Sequence, residues 1–155
     1  AEAAIEISET KIRITTGDVI LTSKLIDGTF PDYGRVIPQN NDKELLVERD
    51  EFKAAVDRVS TISSERGRAV KLAISEGRMI LTVVNPDSGS ATEELAIDYD
   101  SDPLEIGFNS RYLLEITGQL RGDTACFRLA DAGAPTLIQD KGAEDALYVL
   151  MPMRV

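Results

Sequence analysis

LEIGFNSRYLLEITGQL, residues 104–120, repeats a pattern already written at KELLVERDEFKAAVDRVSTIS, residues 43–63. Each stretch opens on a short run that predicts a strand. Each then reaches Asp50 or Asn109, residue types that cap helix N-termini, with an aromatic two or three residues on, Phe52 or Tyr112. Apolar residues follow at helical spacing: Phe52, Ala55, Val56, Val59 and Ile62 in the first stretch, Tyr112, Leu113, Ile116 and Leu120 in the second. Three strand-like runs come after each helix, AVKLAIS, RMILTVV and TEELAIDY, then TACFRLA, PTLIQ and ALYVLMPM. Glu76-Gly77 between the first two of these is a hairpin signal. The order β-α-β-β-β is therefore written twice.

Working outward, residues 1–27 hold three more alternating runs, AIEIS, KIRIT and DVILTSKLI, joined by turns short enough for hairpins. With no strand and helix before them, they read as the last three strands of an earlier copy, and the chain as a fragment that starts partway through a repeating unit. The stretch DGTFPDYGRVIPQNND, residues 27–42, is rich in Gly, Pro, Asp and Asn and marks the boundary between the copies. Repeats of this kind imply stacked or ring-like arrays in which each unit leans on its neighbour.

Composition removes several functions. The chain has 155 residues, 43% hydrophobic and 28% charged, which suits one globular domain with room for a small second one. It has no apolar run long enough for a membrane span and no secretory leader pattern. Its one cysteine, Cys126, forms no internal disulfide and fits a reducing cytoplasm. The absence of histidine excludes Ser-His-Asp and Cys-His catalysis and His-ligated zinc. A net charge of −10 argues against gripping nucleic acid through a basic patch.

The remaining chemistry is sparse. DYDSDP, with Asp98, Asp100 and Asp102, opens like a calcium loop, but Pro103 and Asn109 stand where that loop needs Gly and Glu, so it reads as a charged turn. NPDSGS reads as a solvated acidic loop and Cys126 as a small buried hydrophobe. With 27 acidic residues, chance carboxylate pairs are inevitable and none is singled out. The helix cations Lys53, Arg58, Arg111 and Arg121 are offset by Glu51, Asp57 and Glu115. The tail EDALYVLMPMRV has two readings of equal weight. It is a last core strand, with Leu147 and Val149 inside, or an apolar lip for short peptides, since methionine adapts to varied partners and Pro152 ends the sheet ladder.

KLIDGTFPDYGRVIP (residues 24–38), VNPDS, IGFNSRY and YVLMPMRV (residues 148–155) resemble the bacterial sliding clamp family, the beta subunit of DNA polymerase III. The resemblance runs the length of the chain. It implies an α+β DNA-clamp fold, two β-α-β-β-β units with sheets outside and two helices inside, plus terminal strands of a preceding domain. Residues 1–33 would be the last strands and linker of a truncated middle domain, and residues 34–155 the C-terminal domain. It further implies a cytoplasmic, non-catalytic homodimer ring, without cofactor or metal, that encircles duplex DNA. Its partners would be polymerase subunits, the clamp loader and repair proteins, held through Gln-Leu-x-Leu-Phe-like segments.

Carried over residue by residue, the resemblance places Pro31, Arg35, Val36, Asn109, Tyr112, Val149, Met151, Pro152, Met153 and Arg154 in a peptide groove between the last two domains. Asn109 and Arg154 would bond the peptide, and Val36, Val149, Pro152 and Met153 would form apolar walls. Lys53, Arg58, Arg111 and Arg121 would face DNA, and Ile62, Asp87 and Glu93 would lie near the subunit interface. Two departures stand out: Gly34-Arg35 replaces a pair of arginines, and ADAGAPT carries Gly133 and Pro135 where relatives hold a β-branched residue and a serine. The competing readings are a carboxylate- and metal-dependent enzyme, which tight Mg²⁺ or Mn²⁺ binding would reveal, and a structural repeat domain without a groove.

Overall fold

The computed structural model describes residues 2–63, 68–143 and 145–155. It divides into two compact units, Ala1–Tyr33 and Gly34–Val155. The first is an antiparallel meander of β1 (Ala4–Ile7), β2 (Lys11–Thr16) and β3 (Val19–Lys24). Gly17 takes φ +54 in the two-residue turn between β2 and β3, a left-handed conformation open to glycine at no steric cost. The side chains of Ile5, Ile7, Val19, Ile20 and Leu21 are all more than half exposed, because three short strands enclose no core of their own. A single turn of 3-10 helix, Tyr33–Arg35, spans the boundary in sequence.

The second unit contains, in order, β4 (Lys43–Glu48), α1 (Arg49–Ser60), β5 (Ala69–Ser75), β6 (Arg78–Asn85) and β7 (Gly89–Ala96). A second set follows: β8 (Leu104–Asn109), α2 (Ser110–Thr117), β9 (Thr124–Leu129), β10 (Thr136–Asp140) and β11 (Tyr148–Leu150). The duplicated order predicted from sequence is present, but the copies are interleaved. The two sheets run β11-β10-β9-β4 and β7-β6-β5-β8, so the first strand of each copy is built into the sheet of the other. Two isolated bridges obey the same relation. Leu46, fourth in β4, pairs with Asp98 beyond β7, and Gly107, fourth in β8, pairs with Met153 beyond β11.

Both helices pack on the apolar faces of these sheets around one core. Strand alternation sends Val70, Leu72 and Ile74 of β5, Met79, Leu81 and Val83 of β6 and Ala125, Phe127 and Leu129 of β9 inward. Phe52 of α1 meets Phe127 edge-to-face, ring centroids 5.2 Å apart and planes at 72°, so an aromatic pair joins the copies. Thr136, on β10, is fully buried, and its hydroxyl is the one buried side-chain polar atom without a hydrogen-bond partner among the described residues. An unmet buried hydroxyl costs about 1–3 kcal/mol. Thr136→Val keeps the branched shape and removes the orphan, and a rise of about 1 kcal/mol in unfolding free energy on urea titration is the expected outcome.

Several sequence expectations need correction. Asp50 is not the α1 N-cap. β4 runs on to Glu48, whose carboxylate accepts from Glu51 N, and Asp50 sits in the first turn paired to Arg49 at 2.9 Å. Asn109 caps α2 as expected, its Oδ1 accepting from Arg111 N at 3.0 Å. Counting from the true caps, Phe52 corresponds to Leu113 and not to Tyr112. The buried sets then coincide, Phe52, Ala55, Val56 and Val59 matching Leu113, Ile116, Thr117 and Leu120, while Tyr112 is 51% exposed. Ile62 lies beyond the end of α1, half-buried against the core.

The strand drawn over TEELAIDY begins earlier, at Gly89, because Asn85 pairs with Gly89 and shrinks the NPDSGS loop to a tight turn. The last strand stops at Leu150, which is the core residue there. Leu147 is exposed and Val149 half-buried, since inward-pointing positions alternate and Leu150 takes the inner one. Cys126 is buried, but on the face of β9 opposite the core, opposite Leu46 on β4. Burial pushes its thiol pKa up, with the Glu44 carboxylate adding to the shift.

Candidate functional site

The chain leaves the sheet after Leu150 and crosses to the edge of the other sheet. Pro152 has no N–H to contribute, and the next donor, Met153 N, bonds Gly107 O at 2.8 Å. Val155 then lies over Gly107. A Cβ on residue 107 would sit 2.7 Å from Met153 O and would also collide with both Val155 methyl carbons. The glycine in IGFN is therefore what lets the terminal strip approach. A glycine inside a strand is a signal for such an approach, and sequence reasoning did not use it.

Gly107 lies two residues before Asn109, and α2, which carries Tyr112, starts immediately after. Hence Asn109, Tyr112, Met151, Pro152, Met153 and Arg154 come to one end of the second unit. Met151 and Arg154 are exposed, Val149, Pro152 and Met153 half-buried. Because its Oδ1 is committed to the α2 cap, Asn109 has its Nδ2 donors to offer a ligand. Arg35 and Val36 are exposed in the segment that enters this unit, and Pro31 belongs to the first unit. Asn41, which sequence reasoning passed over, donates from Nδ2 to Arg128 O (2.7 Å) and Pro135 O (2.8 Å).

On the helix face, Arg58 and Glu93 had been assigned to different surfaces, and the structure joins them. Arg58 Nε lies 3.0 Å from Glu93 Oε2, and a second contact links Nη2 to Oε1. The guanidinium holds the Glu93 carboxyl below the usual glutamate range. Such a group contributes stability above its unfolded pKa and loses it as pH falls through the lower folded value. Glu93→Gln is therefore expected to lower the plateau slightly above about the ordinary glutamate value, 4.5, and to leave stability at lower pH nearly unchanged, so that the acid limb of a stability-versus-pH curve flattens. Arg111 pairs with Glu115 at 2.7 Å, and Asp140 accepts from the backbone N–H groups of Arg121 and Gly122. Lys53 and Arg121 remain as the cations outside the two pairs.

Near the far end of β6, Asn85 connects two of the residues assigned to the subunit interface. Its Nδ2 donates to Ile62 O at 2.7 Å and its Oδ1 accepts from Asp87 N at 3.0 Å. In the acidic turn, Asp98 is tied to Leu46 through the backbone and Tyr99 OH donates to Asp102 O. Among the described residues no three acidic or thiol side chains converge as a metal-ligand set.

A family model for the DNA polymerase III beta subunit, C-terminal domain, matches residues 34–154. The beta sliding clamp of Caulobacter vibrioides is 53% identical over 151 residues, which is 97% of this chain and 41% of that protein. The beta sliding clamp of Escherichia coli K12 is 40% identical over 151 residues, again 97% of this chain and 41% of the relative. The crystal structure of a sliding clamp (DNA polymerase III subunit beta) from Bartonella birtlesii bound to griselimycin superposes with a TM-score of 0.95 at 63% identity, covering 99% of this chain and 41% of that one. The fold is thus the α+β clamp fold, and this chain spans 41% of the length of these relatives. By sequence over residues 34–154, and by structure over nearly its whole length, the chain belongs to the DNA polymerase III beta subunit family.

Proposed function

We propose that this chain is part of a sliding clamp, a cytoplasmic, non-catalytic tether that closes as a homodimer ring around duplex DNA and holds replication and repair proteins by short peptide segments. In this reading residues 1–33 are the last strands and linker of the middle clamp domain, and residues 34–155 form the C-terminal domain. The observation that carries it is the seating of the Met-Pro-Met-Arg strip on β8 by Met153 N–Gly107 O, beside the α2 N-terminus. A ladder-free strip with exposed Met151 and half-buried Met153 and Pro152 offers apolar walls, and Arg154 with the Asn109 amide offers polar contacts for a peptide backbone or a glutamine. Within the second unit the groove would draw on Arg35, Val36, Asn109, Tyr112, Val149 and residues 151–154.

The charge pattern supports encirclement. Arg58 and Arg111 are neutralised by Glu93 and Glu115, and a chain of net charge −10 holds DNA through topology and a few cations such as Lys53 and Arg121. Ile62, Asp87 and Glu93 border the surface that meets the other subunit.

Fluorescence anisotropy of a labelled Gln-Leu-x-Leu-Phe peptide, titrated with this chain beside Met153→Ala, tests the groove. Saturable binding that the substitution weakens is expected. Silence from this chain and from one that restores the preceding domain would overturn the reading.

A further inference from the structure

We infer that Asn41 is a positioning residue for the peptide groove, stapling the segment that carries Val36 to the β9–β10 hairpin, whose second strand pairs with the strand that leads into Met151. The inference rests on the groove proposed above. Residues 36–42 run outside any helix or strand, so little within the segment fixes where Val36 stands. Asn41 supplies that anchor. It is half-buried, and its two amide hydrogens go to Arg128 O, within β9, and Pro135 O, on the last residue of the β9–β10 connection. The connection is itself held closed by Asp131, whose Oδ1 accepts from Gly133 N at 2.7 Å and Ala134 N at 2.9 Å. Directly after Pro135, Thr136 and Leu137 pair with Leu150 and Val149. One primary amide therefore ties the entering segment to the β9–β10 hairpin, and the pairing of β10 with β11 carries that anchor to the strand that continues into the strip.

The residue type follows from donor arithmetic. Two carbonyl oxygens face one side chain, and a primary amide is a short group with two hydrogens to give. Alanine removes both bonds, and a carboxylate sets negative oxygens against the two carbonyls. Fixing both walls before a peptide arrives lowers the ordering cost of binding.

The test compares this chain with Asn41→Ala and Asn41→Asp, using the labelled Gln-Leu-x-Leu-Phe peptide from pH 7 to below the ordinary aspartate value of about 3.9, with urea midpoints measured in parallel. At pH 7 both variants are expected to bind about tenfold more weakly, the effect of losing one to two kcal/mol of hydrogen bonding. As pH falls, the aspartate protonates and regains an O–H donor, so Asn41→Asp recovers relative to the parent while Asn41→Ala does not. A parent that binds while both variants match it sinks the role of Asn41 alone, and so does an aspartate variant that tracks alanine at every pH. A parent that is silent both here and in a chain that restores the preceding domain sinks the groove reading. The staple is then judged without peptide, by amide resonances: Asn41→Asp must shift the Val36 and Met151 stretches together, and movement of only one overturns it.

Discussion

Gly107→Ala is expected to unseat the C-terminal strip and to weaken peptide binding more than tenfold, with both sheets and both helices intact. The added methyl group has nowhere to go, because Met153 O would lie 2.7 Å from it and the Val155 side chain closes the remaining space. Overpacking of this kind costs about 1–3 kcal/mol when the surroundings cannot yield. Here the cheapest response is for residues 151–155 to lift away, since one backbone hydrogen bond to Gly107 O holds them. Shortening Val155 to alanine in the same chain relieves the side-chain collision but not the backbone one, so the double variant is expected to recover binding only in part. Amide spectra would show the change confined to β8 and the strip. Unchanged peptide affinity in Gly107→Ala would mean that the strip's seat on β8 does not shape the groove.

Phe52→Ala is expected to destabilise the second unit strongly. Phe52 is fully buried, touches Phe127 edge-to-face and stands where α1 of one copy meets β9 of the other. Truncating a buried phenylalanine costs about 3–5 kcal/mol, against about 5–15 kcal/mol for a whole domain. The urea midpoint should fall accordingly. In a double-mutant cycle with Phe127→Ala, the coupling should be about 0.5–1.5 kcal/mol beyond burial. Additive losses would show that the two rings contribute by burial alone.

The duplicated β-α-β-β-β order was legible because apolar spacing within each element is a local property, and the strands β5 and β6 read cleanly from it, while α1 was recognised with both its ends misplaced. What failed was phase. Asp50 and Phe52 look like a cap and an aromatic two residues on, and aligning Asn109 and Tyr112 with them put Tyr112 in the core. The true cap, Glu48, is hidden as the last residue of β4, and only its position resolves the one-residue shift. The interleaving was not legible, because nothing local in β4 says that its partner is β9. The Met-Pro-Met strip was visible as a lip, yet its support, Gly107, lies in a different sheet, and Asn41 makes its contacts 87 and 94 residues away. Charge partners such as Arg58 and Glu93 were likewise beyond reach, since their meeting depends on how α1 lies against β7.

The interleaved pairing also governs when this unit can form on a growing polypeptide. β4, near its beginning, finds its sheet only when residues 124–129 exist, and β8 closes the sheet begun by β5. The first copy cannot complete itself while the second is still being made, so half-finished chains expose β4 and its apolar face throughout synthesis. Long-range pairing of this kind slows folding and leaves an open strand edge in the meantime. A duplicated motif that could have supplied two independent folding units has instead become a single cooperative one.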